Sequence, residues 1–386
     1  MIPYGRQNIT QADIDAVVDV LRSDFLTQGP MVPRFEAEIV ARCGAREAVA
    51  MNSATSVLHT ACLALGVGPG DRVWTSPISF VASANCALYC GAQVDFVDID
   101  PRTYNMSVGR LAEQLAAAEG NGTLPKVLIP VHHSGQSCEM ADIAALAGRY
   151  GVRIIEDASH AIGGRYRGAP VGNCRHSDIA VFSFHPVKII TTAEGGVATT
   201  NDPALAATMA RLRTHGITRD PELMTHPPDG PWYYQQIELG FNYRMTDVQA
   251  ALGVSQIERL VDNVARRHVL AARYDDLLGD LPVTRPWQHP DSYSGLHLYV
   301  VQANLNEIGV GHRAVFESLR AAGIGVNLHY IPIYRQPYYV GMGFDPSRFP
   351  AAERYYSRAI SLPMYPTLSE AEQDRVVEAL GQALAS

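Results

Sequence analysis

Between residues 48 and 184 short apolar runs alternate with stretches of helical periodicity, and this alternation constrains the fold more than any other feature. The runs AVAM (48–51), DRVWTS (71–76), QVDFVDID (93–100), KVLIPV (126–131), VRIIEDA (152–158) and DIAVFSF (178–184) read as strands. Between them NSATSVLHTACLALG, FVASANCALYCG and the segment around 140–150 read as helices. The expectation is an α/β fold, with a mainly parallel central sheet covered by helices. Ligands on such sheets gather at the carboxyl ends of the strands, so the residues just after each strand carry the functional reading.

Outside this block the chain also has readable elements. Thr10 can cap a helix in which Ile14, Val17, Val18 and Leu21 recur at helical spacing. Gly29-Pro30 and Pro33 predict irregular backbone before a second helix that starts near Arg34. The polar, Pro-rich interval 217–234 predicts a loop at the surface or at a subunit contact. A single long helix is expected from Thr246 into the 270s, and a smaller C-terminal α/β domain after it. The expected division is a large domain over 1–255, and a linking helix with a small domain over 256–386.

At 386 residues and 47% hydrophobic content the chain can bury a large core. A net charge of −8 argues against nucleic acid as a main partner, which requires a basic face. Apolar runs stop well short of the ~20 residues a membrane helix needs. The N-terminus has no basic segment leading into an apolar one, so no signal peptide and a cytoplasmic location are expected. Six cysteines with no CxxC pair predict reduced, mostly buried thiols rather than a zinc site.

Three strand ends hold residues that could carry chemistry. Ala54 and Thr55 open a helix directly after a strand, where backbone N–H groups can hold a phosphate; an ordinary Asn or Ser cap would look the same. Asp157 follows Glu156 at another exit, with His160 three residues on, and either acid could be a simple helix cap. Lys188 stands in SFHPVKIITTAEGG (183–196), in a chain with few lysines. Between Val187, Ile189 and Ile190 its amine could be desolvated into a nucleophile, or it could snorkel to the surface from a strand end.

Taken together these pieces match the needs of one cofactor. Pyridoxal phosphate requires a lysine for its aldehyde carbon, a carboxylate for its pyridine nitrogen, a cup for its phosphate and something flat over its ring. The chain offers, in order, a turn at 52–56, Phe80, Asp157, and Ser183 with Lys188.

On LTQGP, NSATSVLHTACLALG, SFVASANCALYCGA, PVHHSGQSCEM, EDASHAIGG, FSFHPVKIITTAEGG, GFNYRMTDVQAALG, HYIPIY and SLPMYP, the chain resembles the DegT/StrS family of sugar-nucleotide aminotransferases. That resemblance covers nearly the whole length and implies the fold type I, aspartate aminotransferase-like architecture. PVHHSGQSCEM, NSATS and HPVKIITTAEGG are most similar to the UDP-sugar C4 aminotransferases of pseudaminic acid biosynthesis. It implies Lys188 as covalent anchor and proton carrier, and Asp157 as partner of the pyridine nitrogen. Phe80 and His160 are then expected at the ring, and Ala54, Thr55 and Ser183 at the phosphate. Asn242 is expected to reach the cofactor of a neighbouring subunit, which makes the enzyme a homodimer with shared active sites. Tyr4, Leu26, Thr27, His185, His329, Tyr330, Ile331 and Pro332 are expected to line the nucleotide-sugar site. Many relatives have Gly-Thr where this chain has Ala54-Thr55, a form the pseudaminic branch shares. The implied reaction moves the amino group of L-glutamate to the C4 ketone of a UDP-4-keto-6-deoxy-N-acetylhexosamine.

Three other readings compete. Another C4 or C3 enzyme acting on a dTDP- or UDP-keto-sugar would differ in pocket shape. A cofactor-binding regulator would bind without turnover, which an intact Lys188 and Asp157 speak against. A nicotinamide-dependent dehydrogenase needs a glycine fingerprint after the first strand, and NSATSVL lacks it.

Overall fold

In the computed structural model, which describes residues 1–305 and 309–385, all six expected runs form strands of one seven-stranded sheet. These are β1 (Glu47–Met51), β2 (Arg72–Thr75), β3 (Gln93–Phe96), β4 (Val127–Ile129), β5 (Arg153–Asp157) and β6 (Ile179–Ser183). The seventh, β7 (Gly196–Thr200), follows the Lys188 segment and was not expected. The spatial order is β1–β7–β6–β5–β4–β2–β3. Strands β6, β5, β4, β2 and β3 run parallel, and β7 runs antiparallel to both β1 and β6. Side chains alternate between the two faces, as strand geometry requires. Ile179 and Val181 pack with the helices Ala54–Ala64 and Ala82–Tyr89, while Phe182 packs against Met31–Cys43 and Asp247–Ile257.

Two expected helix boundaries move. The second helix begins at Met31, three residues before Arg34, with Pro30 as its cap and Pro33 in its first turn. Proline is tolerated there because first-turn N–H groups have no intrahelical acceptor. The buried Asp247 carboxylate fixes this entry, accepting from Gly29 N at 2.8 Å and Met31 N at 2.7 Å. The long helix expected from Thr246 is two, Asp247–Ile257 and Leu260–Leu277. At the break Arg259 leaves helical geometry and directs its guanidinium to the buried Asp13, 2.7 Å away. Asp13 also accepts from Ser255 Oγ at 2.6 Å, so the first helix, Gln11–Leu21, is tied to both pieces.

Toward the C-terminus, strand Tyr299–Ala303 pairs with Ala359–Leu362 and Val283–Thr284. Helices His312–Ala321 and Glu370–Ala385 close a separate apolar cluster over these strands. The buried Arg267 fastens the helix Leu260–Leu277 to this part, donating from Nη1 to the carbonyls of Leu296, His297 and Met364 at 3.0–3.1 Å. The 217–234 interval lies at the surface, between the paired strands Ile217–Thr218 and Gln235–Gln236, with Trp232 72% exposed. All six cysteines are free and buried. Among the described residues no helix is long and apolar enough to cross a membrane.

Candidate active site

Strands β1, β5 and β6 end around one cavity of about 570 Å³, within the range of small-molecule sites. Its wall includes Ala54, Thr55, Phe80, Asp157, His160, Ser183, His185 and Lys188 from the sheet side. Tyr4, His329 and Tyr330 close it from the N-terminus and the C-terminal part. Leu26, Thr27, Asn242, Ile331 and Pro332 lie outside it. Leu26, Asn242 and Ile331 are exposed, Thr27 forms a bridge with Thr246, and Pro332 is buried behind the wall.

The turn after β1 combines both readings weighed for it. Ser53 is an ordinary cap, its Oγ accepting from Ser56 N at 3.1 Å. The N–H groups of Ala54 and Thr55 sit in the helix's first turn, where no intrahelical acceptor exists, and both residues line the cavity. Gly196 on β7 lets the start of helix Ala54–Ala64 come close: a Cβ there would lie 2.5 Å from Ala54 N. Gly195 serves the same end, since a Cβ would meet Thr192 Oγ1 and Met245. The glycines after Glu194 therefore permit close approach, and the left-handed residue of this turn is Ala193, at φ 66°.

The segment from Ser183 to Gly196 is a closed loop. Phe184 N donates to Gly195 O at 2.9 Å, and Thr192 N donates to Phe184 O at 3.0 Å. Ile189 and Ile190 anchor it in the core beside Phe35 and Phe184, while Val187 lines the cavity with Lys188. The isoleucines thus hold the loop in place more than they surround the amine. The chain has two lysines. Lys126 is committed to Asp71 at 2.9 Å and to Gly66 O. Lys188 makes no side-chain hydrogen bond or ion pair with any described residue, and desolvation by the surrounding protein lowers its pKa to about 8, opposed by the charge of Asp157.

Asp157 is 4% exposed at the end of β5. Its Oδ2 accepts from Ser83 Oγ at 2.6 Å, and its Oδ1 accepts from Ser159 N at 3.2 Å. Neighbouring Glu156 faces the other way, accepting from His132 Nε2 at 2.8 Å and from Ser177 Oγ. The two adjacent acids are therefore sorted by strand alternation, one to the cavity and one to a structural network.

Around the cavity floor stand buried histidines. His160 Nε2 bonds the Tyr330 hydroxyl at 3.0 Å, and their rings stack at 6.0 Å. Burial, with Lys188 nearby, holds His160 neutral by pushing its pKa well below the usual value. His297, 3% exposed, lies 4.5 Å from His160 ring to ring and is held neutral in the same way. Tyr355 donates to His329 O, so its oxygen must accept from His133 Nε2 at 2.9 Å. Ser79, Ser83, Ser159, Glu194, His297 and Asn327 also line the cavity and were not singled out in the sequence. The serines at 79 and 83 flank Phe80 at one-turn spacing, which was the available signal; His297 sits in an apolar strand entry and gave none.

These residues fit pyridoxal phosphate. A buried carboxylate opens on the cavity beside an uncommitted amine of lowered pKa, and unpaired N–H donors stand where a Gly196 Cβ would intrude. A match to the DegT/DnrJ/EryC1/StrS aminotransferase family spans residues 7–381. The spore coat polysaccharide biosynthesis protein SpsC of Bacillus subtilis (strain 168) is 37% identical over 98% of this chain and 96% of its own. The putative sugar aminotransferase Spr1654 from Streptococcus pneumoniae, in its PMP form, superposes with a TM-score of 0.90 at 29% identity over 99% of both chains. Helicobacter pylori PseC, an aminotransferase of pseudaminic acid biosynthesis, superposes equally well, at 0.90 and 30% identity over 99% of both chains. The chain belongs to the DegT/DnrJ/EryC1/StrS aminotransferase family, whose fold and pyridoxal phosphate dependence it shares.

Proposed function

We propose that this enzyme transfers the amino group of L-glutamate to the C4 ketone of UDP-4-keto-6-deoxy-β-L-AltNAc, giving UDP-4-amino-4,6-dideoxy-N-acetyl-β-L-altrosamine. The observation that carries this reading is the likeness to PseC over 99% of both chains, together with an intact Lys188–Asp157 cavity. Residues 1–255 form the cofactor-binding domain in this reading, and 256–386 a linking helix and small domain.

Bound pyridoxal phosphate supplies an electron sink for negative charge at the donor's Cα. Lys188 would anchor it, and its neutral amine would be placed to take and return a proton at Nζ. Asp157 would meet the pyridine nitrogen, its charge favouring the protonated ring. Ala54, Thr55 and Ser183 hold the phosphate, and Phe80 and His160 flank the ring. Tyr4, His185, His329 and Tyr330 orient the nucleotide sugar. Leu26, Thr27 and Ile331 extend that site beyond the cavity of one chain, and Pro332 backs it from behind. Asn242 reaches the cofactor of a second copy, making a cytoplasmic homodimer with shared sites; the exposure of Leu26, Asn242 and Ile331 supports this.

A second reading, amination of a different keto-sugar nucleotide at C4 or C3, is kept open by the 37% identity to a spore coat polysaccharide biosynthesis protein. Incubating the holoenzyme with L-glutamate and a panel of UDP- and dTDP-keto-sugars separates the two. Preferred conversion of UDP-4-keto-6-deoxy-β-L-AltNAc supports the first. Conversion of another sugar alone replaces it with the second. Cofactor binding with no amino transfer to any acceptor would leave a regulator.

A further inference from the structure

We infer that Ser79 and Ser83 form a hydroxyl relay that fixes the direction of the Asp157 carboxylate, making Ser83 a positioning residue for the cofactor's pyridine nitrogen. The inference rests on the reading that Asp157 meets that nitrogen. The polarity of the relay follows from its terminus. A carboxylate can only accept, so Ser83 Oγ donates its one proton to Asp157 Oδ2, 2.6 Å away. The Ser83 oxygen is then free to accept, and the Ser79 hydroxyl, 2.7 Å away, donates to it. Ser79, Ser83 and Asp157 are 4%, 1% and 4% exposed, so water does not compete for these bonds. Chains of hydroxyls polarise one another, and a bond to an ionised acceptor is the strong kind.

The same turn does more than hold a carboxylate. Phe80 lies between the two serines, and Ser83 N donates to Phe80 O at 3.2 Å. Pro77 O, at the start of the turn, accepts from Ile333 N at 2.9 Å, which ties it to the segment carrying Tyr330. With Ser159 N on Oδ1, both carboxylate oxygens are held before any ligand arrives. A charge fixed in advance need not reorganise during reaction, which is where electrostatic catalysis gains most.

The alternative role for the serines is only to satisfy buried hydroxyls, and it predicts altered stability of the apoenzyme with no change toward the cofactor. The test compares wild type, Ser83→Ala, Ser83→Thr, Ser79→Ala and Asp157→Asn. It measures the Kd for pyridoxal phosphate of each apoenzyme, the pH midpoint of the bound cofactor's absorbance, and the apoenzyme Tm. Ser83→Ala should weaken cofactor binding about 10-fold, the scale of one hydrogen bond to a charged group. Its absorbance midpoint should move upward, because a carboxylate that has lost its donor draws the shared proton away from the ring nitrogen, leaving that nitrogen less positive and the lysine-linked nitrogen more basic. Ser83→Thr, which keeps the hydroxyl, should return toward wild type. Ser79→Ala should raise the Kd by about threefold and move the midpoint the same way, a smaller effect since Ser83 still donates. Wild-type Kd and midpoint in Ser83→Ala, with both lost in Asp157→Asn, would overturn the relay and leave Asp157 in place. Unchanged values in Asp157→Asn would overturn the assignment of Asp157 and the relay with it. Should Ser83→Ala not fold, unchanged values in Ser79→Ala decide against the proposal.

Discussion

His160 and Tyr330 stand 170 positions apart in the chain, yet Nε2 of one and the hydroxyl of the other meet at 3.0 Å beneath the cavity. The bond joins the end of β5 to the C-terminal part, and burial keeps both groups neutral. Tyr330→Phe would leave His160 with neither ring nitrogen partnered, as Nδ1 already has none. The expected cost is about 1–3 kcal/mol, read as a lowered midpoint in urea unfolding at unchanged m-value. An unchanged midpoint would show that the two parts of the chain are held together elsewhere.

Lys188 should cost the apoenzyme stability. Its pKa falls from 10.5 unfolded to about 8 folded, so between these values the unfolded chain binds the extra proton and stability rises with pH. At pH 7 the native state carries a desolvated charge that no side chain bonds. Lys188→Met should therefore raise apoenzyme stability at pH 7 by about 1–2 kcal/mol, less than the full shift implies because the side chain is part-exposed. It should also flatten the rise between pH 8 and 10.5 and abolish turnover. Denaturant melts across pH 6–10.5 check this; a destabilised variant with the wild-type pH profile would sink it.

The same lowered pKa sets the pH dependence of cofactor capture. Only the neutral amine attacks the aldehyde, so the rate at which apoenzyme takes up pyridoxal phosphate should climb about tenfold per pH unit below 8 and level off above it. Stopped-flow absorbance from pH 6 to 10 measures it. A climb continuing past pH 10 would place the amine at its ordinary value.

Gly196→Ala should separate cofactor affinity from fold. The added methyl would lie 2.5 Å from Ala54 N, so β7 or the helix start must shift. Overpacking of this kind costs about 1–3 kcal/mol. Because the shift falls on the Ala54–Thr55 turn, the Kd for pyridoxal phosphate should rise about 10-fold or more, while Lys188 still forms its bond with phosphate-free pyridoxal. Equal losses with both compounds would remove this turn from the phosphate site.

Glu156 should mark the acid limit of the fold. Burial alone would raise its pKa, yet the bonds from His132 and Ser177 bring it below the usual value. Its contribution is present above pH 4.5 and is lost as pH falls through the folded-state value. Glu156→Gln should lower stability at pH 7 by about 1–3 kcal/mol and lose less on acidification than wild type. Parallel acid-unfolding curves for the two proteins would contradict this.

Periodicity alone located the six strands that read as short apolar runs, because each carries buried Val, Ile, Leu, Ala or Phe and is bounded by turn residues, even the edge strand β3, which buries only Val94 and Phe96. It did not find β7, whose Gly-Val-Ala-Thr-Thr has neither a strong apolar run nor a preceding helix. It merged the two helices around Arg259, since that break is tied to a tertiary ion pair with Asp13 that no local pattern encodes. Lys188, Asp157, Phe80 and the 54–55 turn were legible because strand exits concentrate ligands. Ser83 and His297 were not, because their importance lies in what they touch: one a carboxylate 74 positions away, the other the ring of His160.

The commitment of Lys126 to Asp71 and the Gly66 carbonyl has a spectroscopic consequence. A 386-residue enzyme grown on lysine labelled at the ε-carbon would present only two labelled side chains, one pinned at the surface and one in the cavity. The first is an internal standard that holds still. The second would change frequency with protonation, with cofactor and with substrate, so each state of the active-site amine could be followed as a single resonance in a protein otherwise too large for such simplicity.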